Sequence, residues 1–182
     1  MELALKTDIQ NKLREEINEK TKNNNGEITY DNLHEMTYLN QVVNETLRMY
    51  TPGFANIRKA SNDYKIPNSK HIIPKDSIVW IPTVGFHYDE RYWKNPQIFD
   101  PDRFTPEEIA KRPAHIFFPF GDGQRNCIGM RFGLLNVKFG VATVIKNFKL
   151  TIDSRTIYPA KLNPKNPSIE MFGGYWIKCE KI

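Results

Sequence analysis

The stretch Phe120-Gly121-Asp122-Gly123-Gln124-Arg125-Asn126-Cys127-Ile128-Gly129 constrains this chain more than any other. It reads F-x-x-G-x-R-x-C-x-G and sets one cysteine among glycines beside an arginine. Glycines let a backbone turn sharply, lie close to a flat ligand and aim N–H groups at sulfur. Arg125 fixes a positive charge two residues from Cys127, suited to a carboxylate on that ligand. An apolar segment follows, so the sulfur is expected at a helix N-terminus, where the dipole favours negative charge. A thiolate with donors around it and no bulk near it is what a haem iron held by cysteine needs. Phe120, Gly121, Gly123, Arg125, Cys127 and Gly129 are therefore the candidate cofactor-binding residues, with Cys127 as the axial ligand of the iron.

Other chemistries are poorly supported. The four histidines, His34, His71, His87 and His115, show no metal-ligand spacing and no C-x-x-C exists, which argues against zinc at Cys127. Two cysteines in 182 residues do not make a disulfide framework, and Cys179 reads as an ordinary strand residue. The net charge is +5, but Lys and Arg are spread along the chain rather than clustered with aromatics, so no nucleic-acid partner is expected. Hydrophobic residues make up 40% of the chain, enough for one domain with a real core. No apolar run is long enough to cross a membrane. No signal peptide is visible, because Met1-Glu2-Leu3-Ala4-Leu5-Lys6 turns polar at once and reads as the end of a helix already under way.

Periodicity supplies the rest. Thr7-Asp8-Ile9-Gln10 is a capping-box pattern, and Ile9, Leu13 and Ile17 repeat on one face of a helix over 8–21, with Glu16 and Lys20 as an i,i+4 pair. A short helix is expected over 30–35. Leu39, Val42, Val43, Thr46, Leu47 and Tyr50 predict another over 38–50, stopped by Pro52-Gly53. Ile72-Ile73 and Ser77–Pro82, joined by the Pro74-Lys75-Asp76 turn, read as a hairpin. Residues 88–119 form a long coil of the kind that usually serves a function. Residues 130–147 are apolar on nearly all sides, the mark of a helix buried in a core, and Gly133 and Gly140 suggest another backbone close by. Strands are expected near 148–152, 168–172 and 175–180, with Gly173-Gly174 as a turn. The fold class is one domain, mainly α with small β-sheets.

Two further segments carry a resemblance. Glu45-Thr46-Leu47-Arg48 matches an E-x-x-R, and Phe99-Asp100-Pro101-Asp102-Arg103-Phe104 matches a P-E-R-F-like segment with Asp102 in place of the usual Glu. With the cysteine loop, in this order and spacing, they make all 182 residues resemble the C-terminal part of a cytochrome P450. The wording around Cys127 is most similar to the animal microsomal branch that oxidises foreign compounds, insect members above all. Taken alone, E-x-x-R is usually a surface pair contributing about 0–1 kcal/mol. The resemblance implies instead that Glu45, Arg48 and Arg103 form one network beneath the haem, holding the 88–119 coil and the cysteine loop.

It implies further that Arg58, with Arg125, meets a haem propionate, the other reading of Arg58 being an exposed strand residue. Phe54, Ala55, Met171 and Phe172 match substrate-contact segments, the alternative being ordinary packing. The implied activity is haem-thiolate monooxygenation of small lipophilic substrates. Haem b is the cofactor, with electrons passing from NADPH through NADPH–cytochrome P450 reductase and cytochrome b5 as a further partner. Arg131, Lys138, Lys111 and Arg112 are candidates for a basic reductase-facing surface, against a reading as solvated charge. The implied location is the cytoplasmic face of the endoplasmic reticulum membrane.

The departures are Thr51-Pro52 for Pro-Pro, Asp76 for a turn Gly, Glu90 for Pro, and Thr7 for a Pro, with Thr7 expected to cap its helix. The family's N-terminal part, with its membrane anchor and the long helix over the distal haem face, has no counterpart here. The expectation is a fragment, inactive alone, folding poorly and leaving the apolar faces of 38–50 and 130–147 wet. The alternative is a short, non-catalytic haem-binding or scaffolding protein starting at Met1.

Overall fold

The computed structural model describes residues 1–158 and 172–182. Its seven α-helices are α1 (Glu2–Leu5), α2 (Thr7–Thr21), α3 (Tyr30–Glu35), α4 (Thr37–Met49), α5 (Thr83–His87), α6 (Pro106–Ala110) and α7 (Met130–Asn147) among the described residues. The strands are β1 (Asn56–Lys59), β2 (Tyr64–Lys65), β3 (Ile72–Ile73), β4 (Ile78–Ile81), β5 (Phe148–Ile152) and β6 (Ile177–Lys181). They form three separate antiparallel pairs, β1 with β4, β2 with β3 and β5 with β6. The mainly helical fold class with small sheets is thus observed.

The core lies where α2, α4 and α7 meet. Leu13 and Ile17 of α2, Leu39, Val42 and Val43 of α4, and Ala142 and Ile145 of α7 are all buried there. The apolar stripes at helical spacing put these residues on facing sides, and burial of each large one stabilises the fold by roughly 1.5–3 kcal/mol. Tyr38 joins them, and its phenol is pushed up to about 12, chiefly by burial.

Polar side chains fix how the helices meet. Glu16 does not pair with Lys20. Its carboxylate accepts from the backbone N–H groups of Tyr38 at 2.7 Å and Leu39 at 2.8 Å, while Lys20 faces Glu35 at 3.5 Å. A residue of α2 therefore caps the positive end of α4, whose own N-cap Met36 offers no side-chain acceptor. Thr7 also departs from expectation. It is the first helical residue of α2, behind an uncapped Lys6, because α1 runs straight into that junction through Lys6 N–H to Glu2 C=O at 2.9 Å. The capping box stands instead at α3, between Thr29 and Asn32. Arg14 closes the far end of α7, donating to the carbonyls of Ile145 at 2.9 Å and Phe148 at 3.0 Å.

Three other expectations change. The strands flanking Pro74-Lys75-Asp76 do not pair with each other; β3 returns to β2 and β4 reaches past it to β1. Asp76 still supplies the left-handed turn residue, with φ 67°. Among the described residues a Cβ at Gly133 or Gly140 meets nothing within 4 Å, so no close backbone there explains either glycine. Helix α7 is not buried: only Ala142 and Ile145 are, while Phe132 is 72% and Phe139 48% exposed. The expected wet face is thus present on α7 but not on α4, whose apolar residues are covered by α2, α7 and the 96–104 segment. Cys179 lies on β6 opposite Leu150, and Gly173 and Gly174 turn with φ 81° and 68°. The strand expected near 168–172 lies, but for Phe172, outside the described residues.

Among the described residues Gln10 is the one polar side chain that joins α1, α2 and β5. It is 1% exposed, donates to Leu3 C=O at 2.6 Å and Leu150 C=O at 3.0 Å, and accepts from Leu150 N–H at 2.9 Å. Its amide thus pairs Leu150 as a neighbouring strand would. Gln10→Leu strands three partly buried backbone groups and is expected to lower stability by about 1–3 kcal/mol, read as an earlier midpoint in urea unfolding.

Candidate functional site

The site begins at a buried ion pair. Glu45 and Arg48 stand one turn apart on α4, and both side chains are 0% exposed. The pair is bidentate, Arg48 Nε to Glu45 Oε2 at 2.7 Å and Nη2 to Oε1 at 2.8 Å. The remaining donors reach distant backbone, Nη1 to His87 C=O and Nη2 to Pro96 C=O, each at 2.8 Å. Glu45 Oε1 also accepts the Asp100 N–H at 3.0 Å. Arg103 Nε lies 3.4 Å from the same oxygen, but its hydrogen bonds run from Nη2 to Asn95 C=O at 3.0 Å and Ile98 C=O at 3.4 Å. The three residues therefore meet, and together they fasten the irregular chain between α5 and the short turn at 101–104.

His87 carries this network onward. It ends α5 and is fully buried. Its Nδ1 lies 3.2 Å from Arg48 C=O, and its Nε2 accepts from Phe118 N–H at 3.2 Å. One tautomer satisfies both, with the proton on Nδ1. Burial pushes the imidazole down to about 4, with the Arg48 carbonyl opposing and the Arg48 charge assisting. Sequence reasoning passed over His87 because it tested histidines for metal spacing; a lone histidine closing a short helix carries no local signal of such a role.

From Phe118 the chain runs into the cysteine loop. Phe118 C=O accepts from Gly121 N–H at 3.0 Å, and Phe120 C=O from Cys127 N–H at 2.9 Å. Gly121 and Gly123 have φ 77° and 74°, a region side chains disfavour. A Cβ on Gly121 would also stand 3.0 Å from Asn56 Oδ1, so β1 abuts the loop there. Gly129 has an ordinary φ of −84°, and its added Cβ would meet only Cys127 Sγ, at 3.9 Å. Cys127 is exposed and lies three residues ahead of α7. The N–H groups of Ile128 and Gly129 donate no backbone hydrogen bond among the described residues.

The other expected residues scatter more widely. Arg58 is half-buried on β1 and donates to Ile57 C=O at 3.0 Å; Arg125 is exposed in the loop. Phe54 is exposed, its ring 6.0 Å from that of Trp80, with Ala55 half-buried beside it. Phe172 is exposed, and Met171 lies outside the described residues. Arg112 is not a solvated charge: it lies 4.2 Å over the Trp93 ring and donates to Arg103 C=O. Lys111 pairs with Glu108, Arg131 is exposed, and burial pulls the Lys138 ammonium down.

The comparisons with known proteins agree on one family. The family model for cytochrome P450 matches residues 1–170. Cytochrome P450 6a2 of Drosophila melanogaster is 43% identical over 182 residues, all of this chain and 36% of its own. Cytochrome P450 6A1 of Musca domestica is 46% identical over 169 residues, 91% of this chain and 33% of its own. Cytochrome P450 6B7 of Helicoverpa armigera is 43% identical over 173 residues, 95% of this chain and 34% of its own. The chain thus spans about a third of the length of these relatives.

Two outcomes test the network. Arg48→Lys keeps the charge but cannot fork to Glu45 and reach both carbonyls. It is expected to cost about 3–5 kcal/mol, as removal of a buried partner does, and to appear as loss of soluble, folded protein. The unfolded His87 titrates near 6.5 and the folded one near 4, so as pH falls the unfolded chain binds the proton first. The stability due to neutral His87 is therefore complete above about 6.5 and is lost between about 6.5 and about 4. Urea midpoints measured across that window should fall with pH in the parent and less steeply in His87→Gln.

Proposed function

The chain belongs to the cytochrome P450 family, and on that premise we propose that it is the haem-binding, C-terminal part of a monooxygenase whose iron ligand is Cys127. The observation that carries this reading is the cysteine loop itself. It presents an exposed sulfur, two adjacent N–H groups with no backbone acceptor among the described residues, and space where Gly129 has no side chain. A thiolate would take those donors, so the residues present fit a cysteine-held haem.

When bound, haem would supply the oxidising chemistry, which consumes O2, two electrons and two protons to place one oxygen atom in a C–H bond and release the other as water. The chain's own residues hold it in register. Cys127 would hold the iron through its thiolate, and the Ile128 and Gly129 N–H groups would steady that charge. Arg125 and Arg58 are the cations for the propionates. Phe120, Gly121 and Gly123 shape the approach, the glycines through conformations that other residues disfavour. Glu45, Arg48 and Arg103 set the coil from which the loop springs. Phe54, Ala55, Met171 and Phe172 are proposed to contact a small lipophilic substrate.

Electrons are proposed to come from NADPH through NADPH–cytochrome P450 reductase, with cytochrome b5 as a second donor. The exposed Arg131, with Lys111, contributes positive charge for docking. Arg112 is committed to Trp93 and Arg103 and serves the scaffold instead. The proposed location is the cytoplasmic face of the endoplasmic reticulum membrane. Among the described residues no helix is long and apolar enough to cross a membrane, so an anchor would come from other sequence. The exposed Phe132 and Phe139 of α7 fit a chain that packs against further helices of the same domain, and they favour this reading over a free-standing scaffolding protein.

In the full-length protein, reduction under carbon monoxide is expected to give the red-shifted Soret band of a thiolate-ligated haem. Cys127→Ser should abolish that band at unchanged haem binding or lose the haem altogether. A normal band in the variant would sink the assignment.

A further inference from the structure

We propose that His87 is a positioning residue for the iron ligand, the link through which the buried Glu45–Arg48 pair sets the placement of the loop that carries Cys127. The inference rests on Cys127 being that ligand.

Three observations carry it. His87 is the one side chain among the described residues that hydrogen-bonds the backbone of 117–120, the segment leading into the loop. The lock to α4 is reciprocal: the Arg48 guanidinium donates to His87 C=O, and the His87 ring meets Arg48 C=O. Neither residue can shift without breaking a bond of the other. From Phe118 only two main-chain bonds separate the imidazole from the cysteine, Gly121 N–H to Phe118 C=O and Cys127 N–H to Phe120 C=O. The ring packs against Phe117, tilted by 33°, and edge-on against Phe118 at 66°, with centroids 5.3 and 5.6 Å away.

Packing alone does not explain a histidine here. A buried apolar residue of similar volume would fill the space but leave Phe118 N–H and Arg48 C=O without partners. Protonation would be as damaging as deletion, since Nε2–H would then confront Phe118 N–H. Among the described residues Arg48 of α4 is the charged group that acts on the ring, with Glu45 behind it on the same helix and Tyr88 next in the chain, its ring 5.4 Å from the Arg48 guanidinium carbon. Trp93 lies between Arg48 and Arg112, with the two guanidinium carbons 5.4 and 4.2 Å from its ring. The Arg48 charge opposes a second positive charge on His87.

The test uses the full-length holoprotein, with the ferrous–carbon monoxide spectrum as readout and Cys127→Ser run in parallel. In His87→Leu the ratio of unshifted to red-shifted Soret band should rise at least about tenfold at neutral pH with haem still bound. His87→Gln, whose amide offers a donor and an acceptor, should restore most of the red-shifted band. On acidification the parent should lose the red-shifted band as His87 protonates, and His87→Gln should keep it to lower pH. A parental band ratio in His87→Leu overturns the proposal. Where His87→Leu fails to fold, the acid profiles decide, and superimposable profiles for the parent and His87→Gln overturn it. Should Cys127→Ser retain the red-shifted band, the ligand reading itself fails, an outcome separate from any behaviour of His87.

Discussion

The rest of the structure depends on a guanidinium and a carboxylate buried against each other. Taking Glu45 and Arg48 out of water costs several kcal/mol per charge, and a buried pair repays that only when its remaining donors and acceptors are satisfied. Here they are, and the partners are what give the pair its structural consequence. Arg48 spends its spare donors on His87 C=O and Pro96 C=O, and Glu45 takes the Asp100 N–H. None of those three backbone groups belongs to a helix interior or a sheet ladder beyond the last turn of α5. A long irregular segment has few bonds of its own, and this one borrows its order from a helix it follows in sequence. Arg103 is the incomplete member: its Nε is buried without a hydrogen bond, so its attraction to Glu45 is one of charge more than of a directed bond.

The same economy governs the helix ends. Glu16 caps α4 from α2, and Arg14 closes α7 from α2. Lys146 of α7 reaches Thr21 at 3.0 Å and the Gly26 carbonyl. Each charge sits at the dipole end that favours it, negative at an N-terminus and positive at a C-terminus. Helix α2 therefore fixes the direction of both partners as well as burying Leu13 and Ile17 between them. Helix α7 is held on that side only. Its opposite side carries Phe132, Val137, Phe139 and Val144 in water, so the helix that follows Cys127 is anchored by its C-terminal half and by polar bonds, while its first turns are packed lightly.

What could be read in the sequence divides along physical lines. The helices at 8–21 and 38–50 were legible to within a residue or two because each carries an apolar stripe at helical spacing, and the one at 130–147 because it is apolar on nearly all sides. Strand pairing was not. The turn at Pro74-Lys75-Asp76 was legible, but a local pattern cannot say that β3 and β4 each look backward to an earlier strand. Glu16 shows the same limit: its spacing to Lys20 is a real surface preference worth a few tenths of a kcal/mol, and two backbone N–H groups from another helix outweigh it. At the site, the spacing of Glu45 and Arg48 and the composition of the loop were plain. The burial that turns a surface pair into a foundation was not, nor was the histidine that joins the two.

That join bears on how a thiolate ligand is held at all. The loop from Gly121 to Gly129 has little internal structure: one turn at 123–125, a bond from Asn126 N–H to Gly123 C=O at 3.2 Å, and glycines that lower rather than raise its stiffness. The aspartate within it bonds Gly123 N–H and the exposed His115 ring, each at 2.7 Å, too near the surface to impose a position. On the proposed reading of Cys127 as the iron ligand, a sulfur that must be placed within a few tenths of an ångström cannot take its position from such a loop alone. It must take it from both flanks. One flank is α7, lightly packed at that end. The other is the turn from Phe118 to Gly121, tied by His87 to the buried pair on α4, with Asn56 of β1 against Gly121 closing the side. Rigidity therefore enters the loop from the α4 side, and the flexibility that glycines give the backbone near sulfur is tolerable because the rest of the frame is fixed before the loop begins.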